Sequence, residues 1–196
     1  YKPNDIYEEI VELEDSTKHT YVKKYGQSIL KDKVNKFKLE SSKYCLIHND
    51  LNRDNILFEK NEDGSVRVNI IDWEGLGLYP CDYQLASFLV SAILLEGYSV
   101  EETMKIAMEI DPNIDEDFIT YLMKFRIFKG LYFFAENRNI YTVSNQKASN
   151  EILKKYFFAA EKLDKYIEKN KFINTDEKSQ EGTFQKVFQS NDEREL

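Results

Sequence analysis

A cluster of polar residues lies between two short apolar runs in the stretch "CLIHNDLNRDNILF", residues 45–58. Leu46 and Ile47 precede the cluster, and Ile56-Leu57-Phe58 follows it. Both runs are typical of short strands, because they are apolar, brief and bounded by turn-forming residues. The polar residues between them are therefore either a tight surface turn or a group held still for chemistry.

A β-hairpin is predicted directly after this cluster. Asn61-Glu62-Asp63-Gly64 favours a turn, since Asp-Gly tolerates the positive φ that hairpin turns need. The returning strand begins at Val66 and ends before Asp72. Because a returning strand brings the chain back to the start of its hairpin, we expect Asp72 to lie close to Asn55.

The rest of the chain is predicted to be helical, so the fold class is α+β and mostly helical. Residues 5–40 favour two helices with a break near Gly26, and 175–196 favours a mobile polar tail. A helix from Asp82 as N-cap to Glu96 follows Pro80. Further helices are predicted at 99–110, from Ile114 through an aromatic stripe to Tyr132, and at 147–170.

Composition narrows the classes of partner. No apolar run in the 196 residues reaches the roughly 18–20 needed to span a bilayer. The net charge of −8 argues against nucleic-acid binding and is compatible with a cationic small molecule. Cys45 and Cys81 lack a repeated spacing, so we interpret them as packing residues in a reducing cytoplasm.

Three oxygen-bearing side chains are expected to meet at the hairpin. Asp50, Asn55 and Asp72 provide carboxylate and amide oxygens, the ligands that Mg²⁺ prefers. An Asp that does not bind the metal can orient and deprotonate a hydroxyl for phosphoryl transfer. Each residue alone is better explained as a turn or cap residue, but their joint spacing favours catalysis.

The segment from His48 to Asn55, "HNDLNRDN", resembles the kinase catalytic loop H-x-D-L-x-x-x-N, and Ile71-Asp72 resembles the start of the metal-binding D-F-G element. Asn49 replaces the arginine of regulated protein kinases, and Trp73-Glu74 replaces Phe-Gly. "IHNDLNRDNILF…IIDWEGLGLYPCDYQLASFL" is instead similar to the aminoglycoside phosphotransferase and choline kinase families.

That resemblance implies a protein-kinase-like fold and an ATP- and Mg²⁺-dependent transfer to a small-molecule hydroxyl. It further implies a role for each matching position: Asp50 as base, Asn55 and Asp72 as metal and nucleotide ligands, His48 as a brace of the loop, Trp73 and Glu74 near substrate, and Asp82 as support for the loop backbone.

The resemblance also implies an N-terminal nucleotide lobe, which we do not find before residue 45. Residues 1–174 are therefore expected to be the C-terminal lobe, with its small hairpin at the catalytic loop, of a longer cytoplasmic enzyme that is incomplete without its upstream lobe. Aminoglycosides are the first expected acceptors, and choline or ethanolamine the second. A non-catalytic kinase-like binding protein and a helical scaffold without a site are the alternatives.

Overall fold

The structure is a computed structural model that describes residues 5–136 and 148–170. The segment 175–196, predicted to be a mobile tail, lies outside the described residues. The helices in the described ranges are α1 (Ile6–Ser16), α2 (Thr20–Leu30), α3 (Lys33–Ser41), α4 (Asp82–Ser91), α5 (Val100–Ile110), α6 (Glu116–Glu136) and α7 (148–170). The strands are β1 (Tyr44–Ile47), β2 (Ile56–Lys60), β3 (Val66–Ile70) and β4 (Gly77–Pro80).

Three helices, rather than the two predicted, precede the first strand, and the expected break at Gly26 is wrong. Helix α2 runs through Gly26, and the breaks fall between α1 and α2 and between α2 and α3. Gly26 is buried against α6, where an added Cβ would lie 2.8 Å from the Phe128 ring. This glycine therefore permits close helix packing rather than a chain reversal.

The described residues form two small antiparallel sheets, and the strands of one lie between the strands of the other along the chain. Strands β2 and β3 form a hairpin in which Phe58 is opposite Val68. Strand β1 pairs with β4, which the sequence analysis did not predict, and Ile47 is opposite Gly77. Strand β4 therefore begins beside the last residue of β1, where the polar cluster starts.

Cys45 and Cys81 are joined by a disulfide, so their interpretation as simple packing residues is corrected. The pairing of β1 with β4 brings them together, because Cys45 is opposite Tyr79 and the Cys81 amide donates to the Lys43 carbonyl. The Cα atoms of the two cysteines lie 4.9 Å apart, within the range that a disulfide spans.

Helix α6 forms the centre of the helical layer. Its residues are buried on nearly every side from Phe118 to Ala135, as expected of a helix that neighbours surround. It packs most extensively against α4, and the fully buried residues Tyr83, Phe125 and Phe128 fill this region. Because it is packed in this way, helix α6 provides a fixed base for the loop that follows β1.

Among the described helices, none combines the length and apolarity needed to cross a lipid bilayer.

Candidate active site

The polar cluster forms a loop that is hydrogen-bonded to a side chain of α4. Strand β1 ends at Ile47, and the loop then passes through His48 and ends in a 3₁₀ turn, Arg53–Asn55, before β2. The backbone N–H of His48 donates to Oε1 of Gln84 at 2.8 Å. His48 itself is buried, so its ring lies inside the fold rather than at the surface of the loop.

Three contacts tie this loop to the segment that carries Asp72. His48 Nε2 lies 2.7 Å from the Ile71 backbone carbonyl, the Ile71 N–H donates to the Asn55 backbone carbonyl at 3.0 Å, and the Trp73 ring meets the His48 ring edge to face at 4.8 Å. Within the segment itself, the Trp73 indole N–H donates to the Ile70 carbonyl at 2.7 Å. Because a carbonyl only accepts, His48 carries its hydrogen on Nε2. Asp72 is therefore fixed beside the loop.

Asp50 and Asn55 are joined within the loop. Asn55 Nδ2 donates to the Asp50 carbonyl at 2.8 Å and lies 3.4 Å from Asp50 Oδ2. Asn52 Nδ2 lies at the same 3.4 Å from Asp50 Oδ2. The amide nitrogen of Asn55 thus faces Asp50, which leaves its Oδ1 to face elsewhere. Asn55 is buried, whereas more than half of the Asp50 side chain is exposed.

Two backbone conformations beside these residues are unusual. Asn49 and Asp72, each with φ of 63°, are the non-glycine residues with positive φ in the described ranges. Asn and Asp adopt this left-handed conformation more readily than other non-glycine residues. The chain therefore turns sharply before Asp50 and at Asp72, where the sequence pattern places the site.

The donor set suits a hard cation. Asn55 Oδ1 and the Asp72 carboxylate are oxygen donors of the kind that Mg²⁺ binds, and the Asp72 side chain does not cap the short helix that follows it. Over residues 5–136 and 148–170, no group of three or more His, Cys, Asp or Glu side chains is placed to hold a metal ion. Such a pair of oxygen ligands fits Mg²⁺, which keeps several water or phosphate ligands of its own.

Asp82 lies at the start of α4, where it is the first helical residue and Cys81 the N-cap. Burial and the nearby charges of Asp111 and Asp115 raise the pKa of its carboxyl. The side-chain hydrogen bond to the loop backbone comes from Gln84, two residues later, which the sequence analysis missed. The support that Asp82 was expected to give the loop stays a prediction.

Trp73 and Glu74 lie in the 3₁₀ turn Trp73–Gly75 directly after Asp72, and both are exposed. A cavity of about 400 Å³ opens between the loop and the end of α4. Arg53 pairs with Glu96 at 3.3 Å on its wall. The other residues that line it include Asn52, Phe88, Leu95, Tyr98 and Ile106.

Arg126 is a further residue that sequence reasoning missed. It lies on α6, and its Nη2 is 3.6 Å from Asp50 Oδ1. The available signal was an arginine between the apolar residues Phe125 and Ile127 of the predicted helix. A charged residue in such a position needs a partner, but the sequence does not say which one.

The model of the phosphotransferase enzyme family matches residues 13–120, which include the loop, the hairpin and α4. A solved structure of an ethanolamine kinase from Plasmodium vivax is similar with a TM-score of 0.47 and 15% sequence identity, covering 77% of this chain and 46% of that one. This chain therefore spans less than half the length of that protein. No curated protein matches the sequence at a significant level.

Proposed function

Because this chain belongs to the phosphotransferase enzyme family, as its loop motif predicts, we propose that it carries the catalytic side of a kinase for a small-molecule alcohol. The geometry of the loop is the observation on which the proposal rests. The side-chain amide of Asn55 donates to the Asp50 backbone carbonyl at 2.8 Å, and the Asn55 backbone carbonyl accepts from the Ile71 N–H at 3.0 Å. Asp50 and Asn55 are thus in contact, and Asp72 directly follows the residue whose N–H is hydrogen-bonded to the Asn55 backbone, which supports a shared site for the three side chains.

Asp50 is proposed as the general base. Its carboxylate accepts the proton of the acceptor hydroxyl as the hydroxyl oxygen bonds to the γ-phosphorus of ATP. The bond between that phosphorus and the bridging oxygen of ADP breaks, so the products are the phosphate ester and ADP. Such a reaction depends mainly on positioning and charge stabilisation, which a loop fixed by His48 and Asn55 supplies.

Asn55 and Asp72 are proposed to hold Mg²⁺ together with the nucleotide phosphates. When bound, the ion offsets the negative charge of the transferring phosphoryl group. The Asp50 backbone fixes the orientation of the Asn55 amide, so its Oδ1 is directed away from Asp50. Asp50 thereby keeps a separate role from the two metal ligands.

The acceptor is proposed to lie between the loop and the neighbouring exposed groups. Trp73 and Glu74 are exposed directly after Asp72, and the cavity of about 400 Å³ lies between the loop and the end of α4. That volume lies within the usual range for small-molecule pockets. We propose an aminoglycoside-type acceptor first and a choline- or ethanolamine-type acceptor second, since the net charge of −8 is compatible with a cation.

Residues 1–174 are proposed to be the C-terminal lobe, with a nucleotide lobe upstream. One face of the hairpin supports this proposal, because Phe58, Val66 and Val68 are all more than half exposed on it. Apolar side chains gathered on one sheet face favour a covering partner. A lobe packed there would also supply the rest of the nucleotide site beside Asp72.

The test is ATP consumption by the full-length gene product with Mg²⁺ and a panel of aminoglycosides, choline, ethanolamine and simple sugars. Turnover stimulated by one class, and abolished by chelation of Mg²⁺, supports the proposal and identifies the acceptor. Absence of both turnover and Mg²⁺-nucleotide binding contradicts it and favours a non-catalytic kinase-like protein.

A further inference from the structure

We propose that Arg126 is a positioning residue that fixes the Asp50 carboxylate for proton transfer, an inference that rests on the proposed function. Arg126 lies on α6, far from the loop in sequence, and its Nη2 is 3.6 Å from Asp50 Oδ1. Its side chain is 17% exposed, whereas that of Asp50 is 54% exposed. A mostly buried cation thus reaches out of the helical layer to an exposed carboxylate.

The guanidinium of Arg126 is anchored by two other helices. Its Nε donates to Ser87 Oγ on α4 at 3.2 Å, and its Nη1 donates to the Tyr156 hydroxyl on α7 at 3.4 Å. Both partners are buried, so they move little. Because the five N–H groups of a guanidinium lie in one rigid plane, holding two nitrogens also sets the direction of the third. That direction points to Asp50.

The arginine keeps its charge in this environment. Burial lowers the pKa of Arg126, but Tyr156, Tyr83 and Asp50 outweigh this effect and raise it overall. A buried cation needs a partner of opposite charge, and Asp50 is the carboxylate that forms an ion pair with Arg126 in the described part of the chain. The attraction acts on Asp50 in return.

The two oxygens of Asp50 are held from different sides. Oδ2 faces the amides of Asn52 and Asn55, each at 3.4 Å, and Oδ1 faces Arg126. An exposed carboxylate without such contacts rotates freely about its side-chain bonds. At 3.6 Å the guanidinium attracts Oδ1 without forming a hydrogen bond, so an Oδ1 lone pair stays available for the proton of an acceptor hydroxyl.

The kinetic test uses the full-length protein with the acceptor that the panel identifies. Arg126→Gln is expected to lower kcat by about 10–100-fold while the KM values for acceptor and ATP change less than about threefold, because a base displaced by 1 Å loses rate rather than binding. Arg126→Lys should retain more activity than Arg126→Gln. Added methylguanidinium should partly restore Arg126→Ala and leave Asp50→Asn inactive.

Lys129→Gln is the matched control. Lys129 is a mostly buried cation one turn further along α6, and it pairs with Glu9 at 2.7 Å, away from the loop. Its loss should lower stability yet leave kcat within about twofold of the wild type, if disturbance of α6 alone does not slow the reaction. Equal loss of kcat in Lys129→Gln and Arg126→Gln would overturn the inference, as would an effect of Arg126→Gln confined to KM.

A double-mutant cycle separates this inference from the proposed function. Urea unfolding midpoints are measured for the wild type, Asp50→Asn, Arg126→Gln and the double variant. A double variant that is more stable than the sum of the single effects predicts shows that the two side chains interact, whereas additive midpoints contradict the inference. Wild-type turnover that persists in Asp50→Asn would instead contradict the proposed base.

Discussion

Asn49 and Asp72 adopt a backbone conformation that most residues avoid. Asn49 directly precedes the proposed base Asp50, and Asp72 is itself a proposed metal ligand. Left-handed backbone disfavours L-residues by about 1–2 kcal/mol, although Asn and Asp reduce this with local hydrogen bonds. The neighbouring contacts offset the remainder: His48 to Ile71, and Ile71 to Asn55. At the scale of single residues, the fold therefore accepts local strain where Asp50 and Asp72 have to be presented together.

The ionised carboxylate of Asp82 is expected to destabilise the folded state, and this effect can be measured. Since burial, Asp111 and Asp115 raise the pKa of its carboxyl, the folded state disfavours the ionised form. Asp82→Asn should therefore raise the melting temperature at pH 7 by about 1–2 °C, a small effect because the group is half exposed. Thermal unfolding followed across pH should show this gain vanish as pH falls below about 4, where Asp82 is protonated in the wild type.

Asp63→Asn is the control of opposite sign. Hydrogen bonds from the Ser65 hydroxyl and backbone lower the pKa of the Asp63 carboxyl, so the folded state favours its ionised form. Its replacement should lower the melting temperature slightly at pH 7, and this loss too should disappear in acid. A drop in the melting temperature of Asp82→Asn at neutral pH would contradict the account and favour the predicted support of the loop by Asp82.

The residues of the candidate site were predictable only where they are close in sequence or bounded by one hairpin. Asp50, Asn55 and Asp72 stand out because a short loop and a short hairpin determine their separation. Gln84 and Arg126 reach the loop from α4 and α6, and only packing of the whole layer brings them there. No local pattern encodes such contacts.

At the scale of elements, the close contact between α6 and α7 depends on the lack of a side chain at Gly130. A Cβ added at Gly130 would overlap the Tyr156 ring. Helix propensity alone predicts that Gly130→Ala stabilises the protein by about 1 kcal/mol. We expect instead a destabilisation of about 1–3 kcal/mol in urea unfolding, because the buried ring has to move.

Gly26→Ala provides the comparison for this prediction. Its added Cβ would lie 2.8 Å from Phe128, so it should destabilise the protein less than Gly130→Ala. Because the Tyr156 hydroxyl accepts from Arg126, Gly130→Ala should also lower kcat, whereas Gly26→Ala should not. Stabilisation by Gly130→Ala would show that the helices are less closely packed than described.

Helices were predicted more accurately than strands and breaks. The periodic apolar residues of α5 and α6 are extended signals, and the capping box of Ser99 and Glu102 marks the start of α5. Strand β4 has four residues and follows a 3₁₀ turn, too short for a pattern. Glycine is a weak helix former, so Gly26 predicts a break in the helix. Its close packing against Phe128 shows that it instead allows α2 to lie against α6.

At the scale of the whole molecule, the disulfide encloses the candidate site. Cys45 and Cys81 are 36 residues apart, and the loop, the hairpin and Asp72 lie between them. Cys45→Ser should lower the free energy of unfolding by about 2–4 kcal/mol, because the closed loop restricts the unfolded chain. Urea unfolding of the variant should match that of the reduced wild type. Two titratable thiols in the non-reduced wild type would contradict the bond.

The central claim is that the loop between β1 and β2 catalyses phosphoryl transfer with Asp50 as base. The most direct measurement compares transfer of the γ-phosphoryl group of ATP by the full-length wild type and Asp50→Asn, with Mg²⁺-ATP binding measured in parallel. The account predicts a loss of about 100–10,000-fold in kcat with nucleotide affinity nearly unchanged. Normal turnover by Asp50→Asn would contradict it.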